Sequence, residues 1–376
     1  MNRLISREPA GERSERLESL QLLRAIAAGM IVLLHANGIW EFGPLKAIDS
    51  KLGAGVDLFF VISGFVIVYA SRPYFASPGG WLAFLVRRMI RIVPLYWMAL
   101  TFRLIVLAGG ALIGVKAFPT ITDILTSYFF IPYDSQGFGD AYPFPILDLG
   151  WSLNYEMFFY LAFAGFIFLP IAKAVAATAL TLCLGVVVGF FWDLPMPINF
   201  WFRPIVLEFL AGMMIAFAFI RGLRISGVTS VFLIILGLSF WTLIDIRQFA
   251  SYGGPGFYSF PRFFVFGSVA ILILLAATLT RGLLLGRFWR KLARLGDSSY
   301  ALYLLHPFIF LAFKVLFTVW EPSGALRSVM LFPIVFCTIV VAHLFHLLVE
   351  KPMIDFIRKR VIAPRSLAEG VSNQQA

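Results

Sequence analysis

Residues 18–38 read ESLQLLRAIAAGMIVLLHANG, and this stretch decides the architecture. It is long enough to cross the hydrocarbon of a bilayer, which takes about 20 apolar residues in a helix. Two ionisable side chains, Arg24 and His35, interrupt it. Inside a bilayer such groups are costly and mark candidate functional sites. Further apolar segments follow at about 54–71, 92–112, 148–170, 172–192, 200–220, 228–246, 260–280, 298–318 and 328–350. Together they predict an all-α integral membrane protein of about ten transmembrane helices. The stretch from Ile121 to Pro132 is apolar but too short to span, which fits a re-entrant or interfacial segment.

Composition agrees. The 376 residues are 60% hydrophobic and only 14% charged, with a mean hydropathy of +0.88. A soluble domain of that length needs more charge to cover its surface, so a water-soluble enzyme is excluded. The net charge of +11 does not point to nucleic acid, because the basic residues sit at the ends of apolar runs. With the N-terminus inside, the inner segments carry 21 Lys and Arg and the outer ones at most 7. The positive-inside rule then puts both termini in the cytoplasm, as an even span count requires. Cys183 and Cys337 lie inside apolar runs, which argues against a disulfide or zinc site. The expected organisation is a cytoplasmic tail at 1–17, one membrane domain at 18–350 and a second cytoplasmic tail at 351–376. No linker or inverted repeat divides it.

The intramembrane polar residues define candidates. Arg24 and His35 are eleven residues apart, so they share a face of the first span about 16 Å apart along its axis. Arg24 can instead snorkel to lipid phosphates. Asp57, near the start of the second span, is expected at the depth of His35, where a carboxylate can hold the imidazole in one tautomer. It is also well placed to cap its own helix. Arg87, Arg88 and Arg91 have helical spacing before the third span, and guanidinium forks suit phosphate oxygens. Ordinary positive-inside anchoring accounts for them as well.

In the fourth span Ser152 and Glu156 share a face, and Glu156 needs a partner, with Arg24 or the basic cluster at hand. Glu208 is a structural carboxylate that can pair with Arg203. In the ninth span Ser299, Tyr303 and His306 fall on one face, and Pro307 frees the Tyr303 carbonyl and kinks the helix. That suits a lined cavity, although a hydrogen-bonded packing role fits His306 equally. His343, His346 and Glu350 have helical spacing, but such a trio recurs by chance and no metal is expected. The outer segment 113–147, with Tyr133, Asp134, Asp140 and Tyr142, is aromatic and acidic enough to bind sugar, although loops of that composition are also common without ligands.

Five stretches in order carry a resemblance: LQLLRAIAA (20–28) through His35, GVDLFFVISGF (55–65), RRMIRIVPLYW (87–97), WSLNYEMFFY (151–160) and SYALYLLHP (299–307). With them the chain resembles the acyltransferase 3 family of multi-spanning membrane proteins, especially its exopolysaccharide O-acetylating branch. The resemblance implies acetyl-CoA as cytosolic acyl donor, a carbohydrate hydroxyl as acceptor, and a bacterial inner-membrane location. Arg88 and Arg91 match the family's Arg-x-x-Arg motif, linked to the donor. Arg24 and His35 match its first-helix pair, in which the His is treated as catalytic. The expected site therefore has His35, Asp57 and Glu156 as catalytic groups and Arg24, Arg88 and Arg91 on the donor. Ser152, Ser299, Tyr303 and His306 line the cavity. Direct transfer with His35 as general base and transfer through an acyl-imidazole both satisfy these residues. The alternative from another class is a transporter or flippase for a glycan or acyl intermediate.

Overall fold

The computed structural model describes residues 10–37, 49–114, 117–133, 143–244, 259–281 and 286–362. Among these residues it is helical, with no strand. The helices are α1 (Ala10–Asn37), α2 (Asp49–Leu52), α3 (Ala54–Ala70), α4 (Gly80–Leu112), α5 (Ile121–Tyr128), α6 (Gly150–Ala164), α7 (Ile171–Phe191) and α8 (Ile198–Trp201). They continue as α9 (Leu207–Ile220), α10 (Gly227–Leu243), α11 (Phe260–Arg262), α12 (Ser268–Leu279), α13 (Arg287–Ala293), α14 (Ser299–Trp320), α15 (Gly324–Phe345) and α16 (Lys351–Val361). One π-helical turn, Phe263–Gly267, joins α11 to α12, and another, His346–Glu350, joins α15 to α16.

Seven helical stretches are long and apolar enough to cross a membrane: Glu18–Ala36, Ser50–Ala70, Gly80–Leu112, Ile171–Phe191, Phe260–Leu279, Ser299–Trp320 and Gly324–Val361. The three remaining expected segments are shorter helices, Gly150–Ala164, Pro204–Ile220 and Gly227–Leu243. In α6 most side chains are buried, so other helices cover its polar groups and its length is not matched to lipid alone. The expected tails are partly helical, since α1 begins at Ala10 and α16 continues to Val361. Asp134, Asp140 and Tyr142 of the outer segment lie outside the described residues.

α3 is the hub. It buries Val56, Leu58, Phe60, Val61, Ile62, Phe65, Ile67 and Val68. It meets α9 through a reciprocal glycine contact: a Cβ on Gly64 would overlap the Phe209 carbonyl, and one on Gly212 the Val61 carbonyl. Small residues of this kind let helix backbones approach closely where lipid offers no hydrophobic drive. α1 is drawn in the same way against the turn before α14, where Gly296 faces the Gln21 carbonyl and Gln21 Nε2 donates to Asp297 at 2.6 Å. Outside the bundle, Phe190, Phe191, Phe232, Phe332 and Phe336 stay exposed, as lipid-facing side chains should. The short helix α5 is closed by a Thr120–Asp123 capping box. It is tied down by Trp97 Nε1 donating to the Tyr128 carbonyl at 2.9 Å.

Candidate active site

Five helices line a cavity of about 830 Å³, part of it open to the outside. Its polar lining is Arg24 from α1, Ser63 from α3, Arg88 and Arg91 from α4, Ser152, Glu156 and Tyr160 from α6, and Ser299, Tyr300 and Tyr303 from α14. Arg24, Arg88, Arg91, Ser152, Glu156, Ser299 and Tyr303 were each singled out by sequence, and the fold brings all of them to one space. Phe59, Phe60, Ile62, Val66 and Ile92 supply apolar wall.

The guanidinium end is braced from the last helices. Arg91 lies 3.5 Å from Glu350, and His346 Nδ1 donates to the same carboxylate at 2.7 Å. His343 turns to the Ser298 hydroxyl, 3.2 Å away. The His343–His346–Glu350 trio thus diverges into an arginine brace. Arg88 sits over the rings of Phe84 and Tyr160, 5.7 and 5.8 Å from their centroids. Arg24 feels Arg91 as a like charge and Asp297, Glu156 and Glu350 as opposite ones. Glu156 Oε1 accepts from Ser63 at 2.6 Å and from the Tyr160 hydroxyl. The partners of Glu156 are therefore hydroxyls, with the arginines around it as charged neighbours. Ser299 Oγ is buried with no hydrogen-bond partner among the described residues.

At the other end of α1, His35 lines a second, smaller cavity of about 320 Å³ with Gly53, Leu149, Trp151 and Arg262. Val56 and Tyr303 belong to the walls of both cavities. The Tyr303 hydroxyl donates to the Leu149 carbonyl at 2.9 Å and accepts from Ser152 at 2.8 Å. That pins the ring between the two spaces.

Asp57 does not orient His35, contrary to the sequence-based expectation. Its carboxylate is fully buried and forked to Arg262, with Nε to Oδ1 at 3.1 Å and Nη2 to Oδ2 at 2.7 Å. A bidentate guanidinium satisfies both oxygens and leaves the carboxylate no reason to seek an imidazole. Glu208 likewise does not pair with Arg203, which is exposed. It is buried beside Asp57 and Arg262 and interacts electrostatically with both. The imidazole of His35 meets His306 instead, with His35 Nδ1 3.2 Å from His306 Nε2.

Sequence reasoning did not select Ser63, Tyr160, Tyr300 or Arg262. Tyr160 was within reach as the i+4 neighbour of Glu156. Ser63 carried no local signal, since its partner lies on another helix.

The described residues form a many-helix bundle with an interior cavity, arginines at one end and an imidazole pair beyond the other. Residues 17–347 match the acyltransferase domain of the acyltransferase 3 family, and the chain belongs to that family. It is a multi-pass membrane acyltransferase. Among curated proteins it is similar to the exopolysaccharide production protein ExoZ of Rhizobium meliloti (strain 1021). The two are 31% identical over 314 residues, covering 82% of this chain and 91% of that protein. No solved structure matches the chain.

Proposed function

We propose that this acyltransferase moves an acetyl group from acetyl-CoA to a hydroxyl of an exported or surface polysaccharide, or of its lipid-linked precursor. The observation that carries the proposal is the gathering of Arg24, Arg88 and Arg91 at one cavity that also holds Ser152, Glu156 and Ser299. Guanidinium groups take the phosphates of the donor. The unpartnered Ser299 hydroxyl and the hydroxyl-bonded Glu156 suit the amides of a narrow pantetheine arm. Along α1, His35 stands about 16 Å beyond Arg24, so an arm extended from the arginines delivers its thioester toward the imidazole.

In this scheme His35 Nε2 accepts the proton of the sugar hydroxyl as that oxygen attacks the thioester carbonyl. The new C–O bond forms, the C–S bond breaks, and the proton returns to the departing thiolate. Counting the three shorter apolar helices as spans gives ten crossings. Both termini, and the arginine end of the cavity, then face the cytosol of the bacterial inner membrane. The similarity to an exopolysaccharide production protein favours a carbohydrate acceptor, and the family favours group transfer over transport.

The test is mass spectrometry of surface polysaccharide from cells carrying the wild type or His35→Ala, with membrane insertion checked by immunoblot. Acetylation is expected in the first and lost in the second. Full acetylation with His35→Ala removes His35 from the chemistry, and an unchanged polysaccharide in a null strain removes the acceptor assignment.

A further inference from the structure

Two imidazoles meet inside the bundle, 271 residues apart in sequence. His35 is partly exposed and lines the smaller cavity. His306 is fully buried, with 0% of its surface accessible, and both of its ring nitrogens are engaged. The two are therefore not equivalent, since only His35 can touch a substrate.

Protons can be assigned from the acceptors. His306 Nδ1 lies 2.9 Å from the Leu302 carbonyl oxygen, which can only accept, so Nδ1 carries the hydrogen. Neutral His306 then presents a bare Nε2. His35 Nδ1 faces that bare nitrogen at 3.2 Å and the Ile31 carbonyl oxygen at 2.9 Å. Both are acceptors, so the His35 hydrogen is also on Nδ1 and is shared between them. What remains free on His35 is Nε2 with its lone pair, the nitrogen a general base needs. The Ile31 carbonyl belongs to the i−4 position of the same helix and shares its lone pairs with the helical ladder. His306 Nε2 has no other partner among the described residues. Asp57, the carboxylate expected to hold His35, is held by Arg262.

We propose that His306 is the positioning residue of this enzyme: through Nε2 it accepts from His35 Nδ1–H and orients the ring, so that His35 Nε2 is free to take the proton of the acceptor hydroxyl. When His35 gains a proton at Nε2, the Nδ1–H bond to His306 becomes charge-assisted and strengthens. The positive charge is thus spread over two rings. When the thiolate leaves, the proton returns through His35 Nε2 and His306 ends as it began. An Nδ1–H hydrogen bond to a second residue that sets the tautomer recurs wherever imidazoles act as bases or ligands. This inference rests on His35 acting as the base.

The experiment compares His306→Gln, His306→Asn and His306→Leu in purified protein, reading kcat and the KM for acetyl-CoA separately. A glutamine amide reaches the place of Nε2 and can accept from His35. An asparagine amide reaches only the place of Nδ1, so it can keep the Leu302 bond but not the His35 bond. Orientation effects of this kind are about 10- to 100-fold. His306→Leu and His306→Asn are expected to lose about that much kcat with KM unchanged, and His306→Gln to recover most of it. Asparagine restoring activity as well as or better than glutamine would show that His306 only packs, and wild-type kcat in the leucine variant would overturn the proposal outright. His35→Ala assayed in parallel separates the two layers. If it is inactive while His306→Leu is not, the base assignment stands and only the positioning role fails.

Discussion

Cutting the buried pair between Asp57 and Arg262 tests the packing around the site most directly. Both side chains are almost entirely shielded, at 0% and 4% exposure, and joined by two short hydrogen bonds. Removing one member of such a pair leaves a buried charge uncompensated and costs about 3–5 kcal/mol. The third charged group nearby, Glu208, makes the two single variants unequal. In Asp57→Ala the guanidinium keeps Glu208 as an alternative carboxylate, so the loss falls near the lower bound, about 3 kcal/mol. In Arg262→Met two carboxylates lose their common cation, and the loss approaches about 5 kcal/mol. The double variant Asp57→Leu with Arg262→Met removes the pair together and leaves only Glu208 without the cation, so it is expected to lose less than Arg262→Met alone. Thermal unfolding in detergent, followed by tryptophan fluorescence, reads the series. At about 2–4 °C per kcal/mol, Asp57→Ala should lower Tm by roughly 6–12 °C. A wild-type Tm in either single variant, or a double variant as unstable as the two singles combined, would refute the assignment of Asp57 to Arg262.

Two further outcomes follow from the geometry. Arg91→Ala should raise the KM for acetyl-CoA about tenfold to a hundredfold, the loss of one charged hydrogen-bonded contact of about 1.5–3 kcal/mol. Glu350→Gln, which only loosens the brace on Arg91, should raise it less, with kcat unchanged in both; donor titration of purified protein decides. At the crossing of α3 and α9, Gly212→Ala should cost about 1–3 kcal/mol by overpacking, seen as a smaller monodisperse fraction on size exclusion, and Gly212→Leu should leave almost none. A wild-type elution profile for the leucine variant would mean the helices are not in contact there.

Much of the site could be read locally, because helical spacing is a local property. Ser152 with Glu156, Arg88 with Arg91, and Ser299 with Tyr303 announce shared faces three or four residues apart, and the fold puts all of them on one cavity. The apolar runs likewise located many helix ends to within a few residues, but α4 begins at Gly80, well before the run at 92–112, and α1 at Ala10, before the run at 18–38. What could not be read was which polar group meets which. Asp57 and Arg262 are 205 residues apart and His35 and His306 are 271 apart. Those pairings depend on the order in which α1, α3, α11 and α14 pack, not on any residue's neighbours. Asp57 was matched to His35 by depth alone, and depth does not fix the face of a helix. The brace on Arg91 was hidden for a further reason. Glu350 ends a π-helical turn, and one extra residue per turn rotates it away from the face that regular spacing assigns.

An enzyme that passes chemistry from one side of a bilayer to the other has to remain an electrical insulator while doing so. Here Val56 and Tyr303 stand in the walls of both chambers. The phenol hydroxyl is bolted to the start of α6 through Ser152 and the Leu149 carbonyl. An acyl group carried on a thin flexible arm needs only a slit beside an aromatic ring, whereas a hydrated ion needs a pore. For the transfer proposed above, a tyrosine fixed between the two chambers would reconcile movement of an acyl group with the voltage that the membrane has to hold.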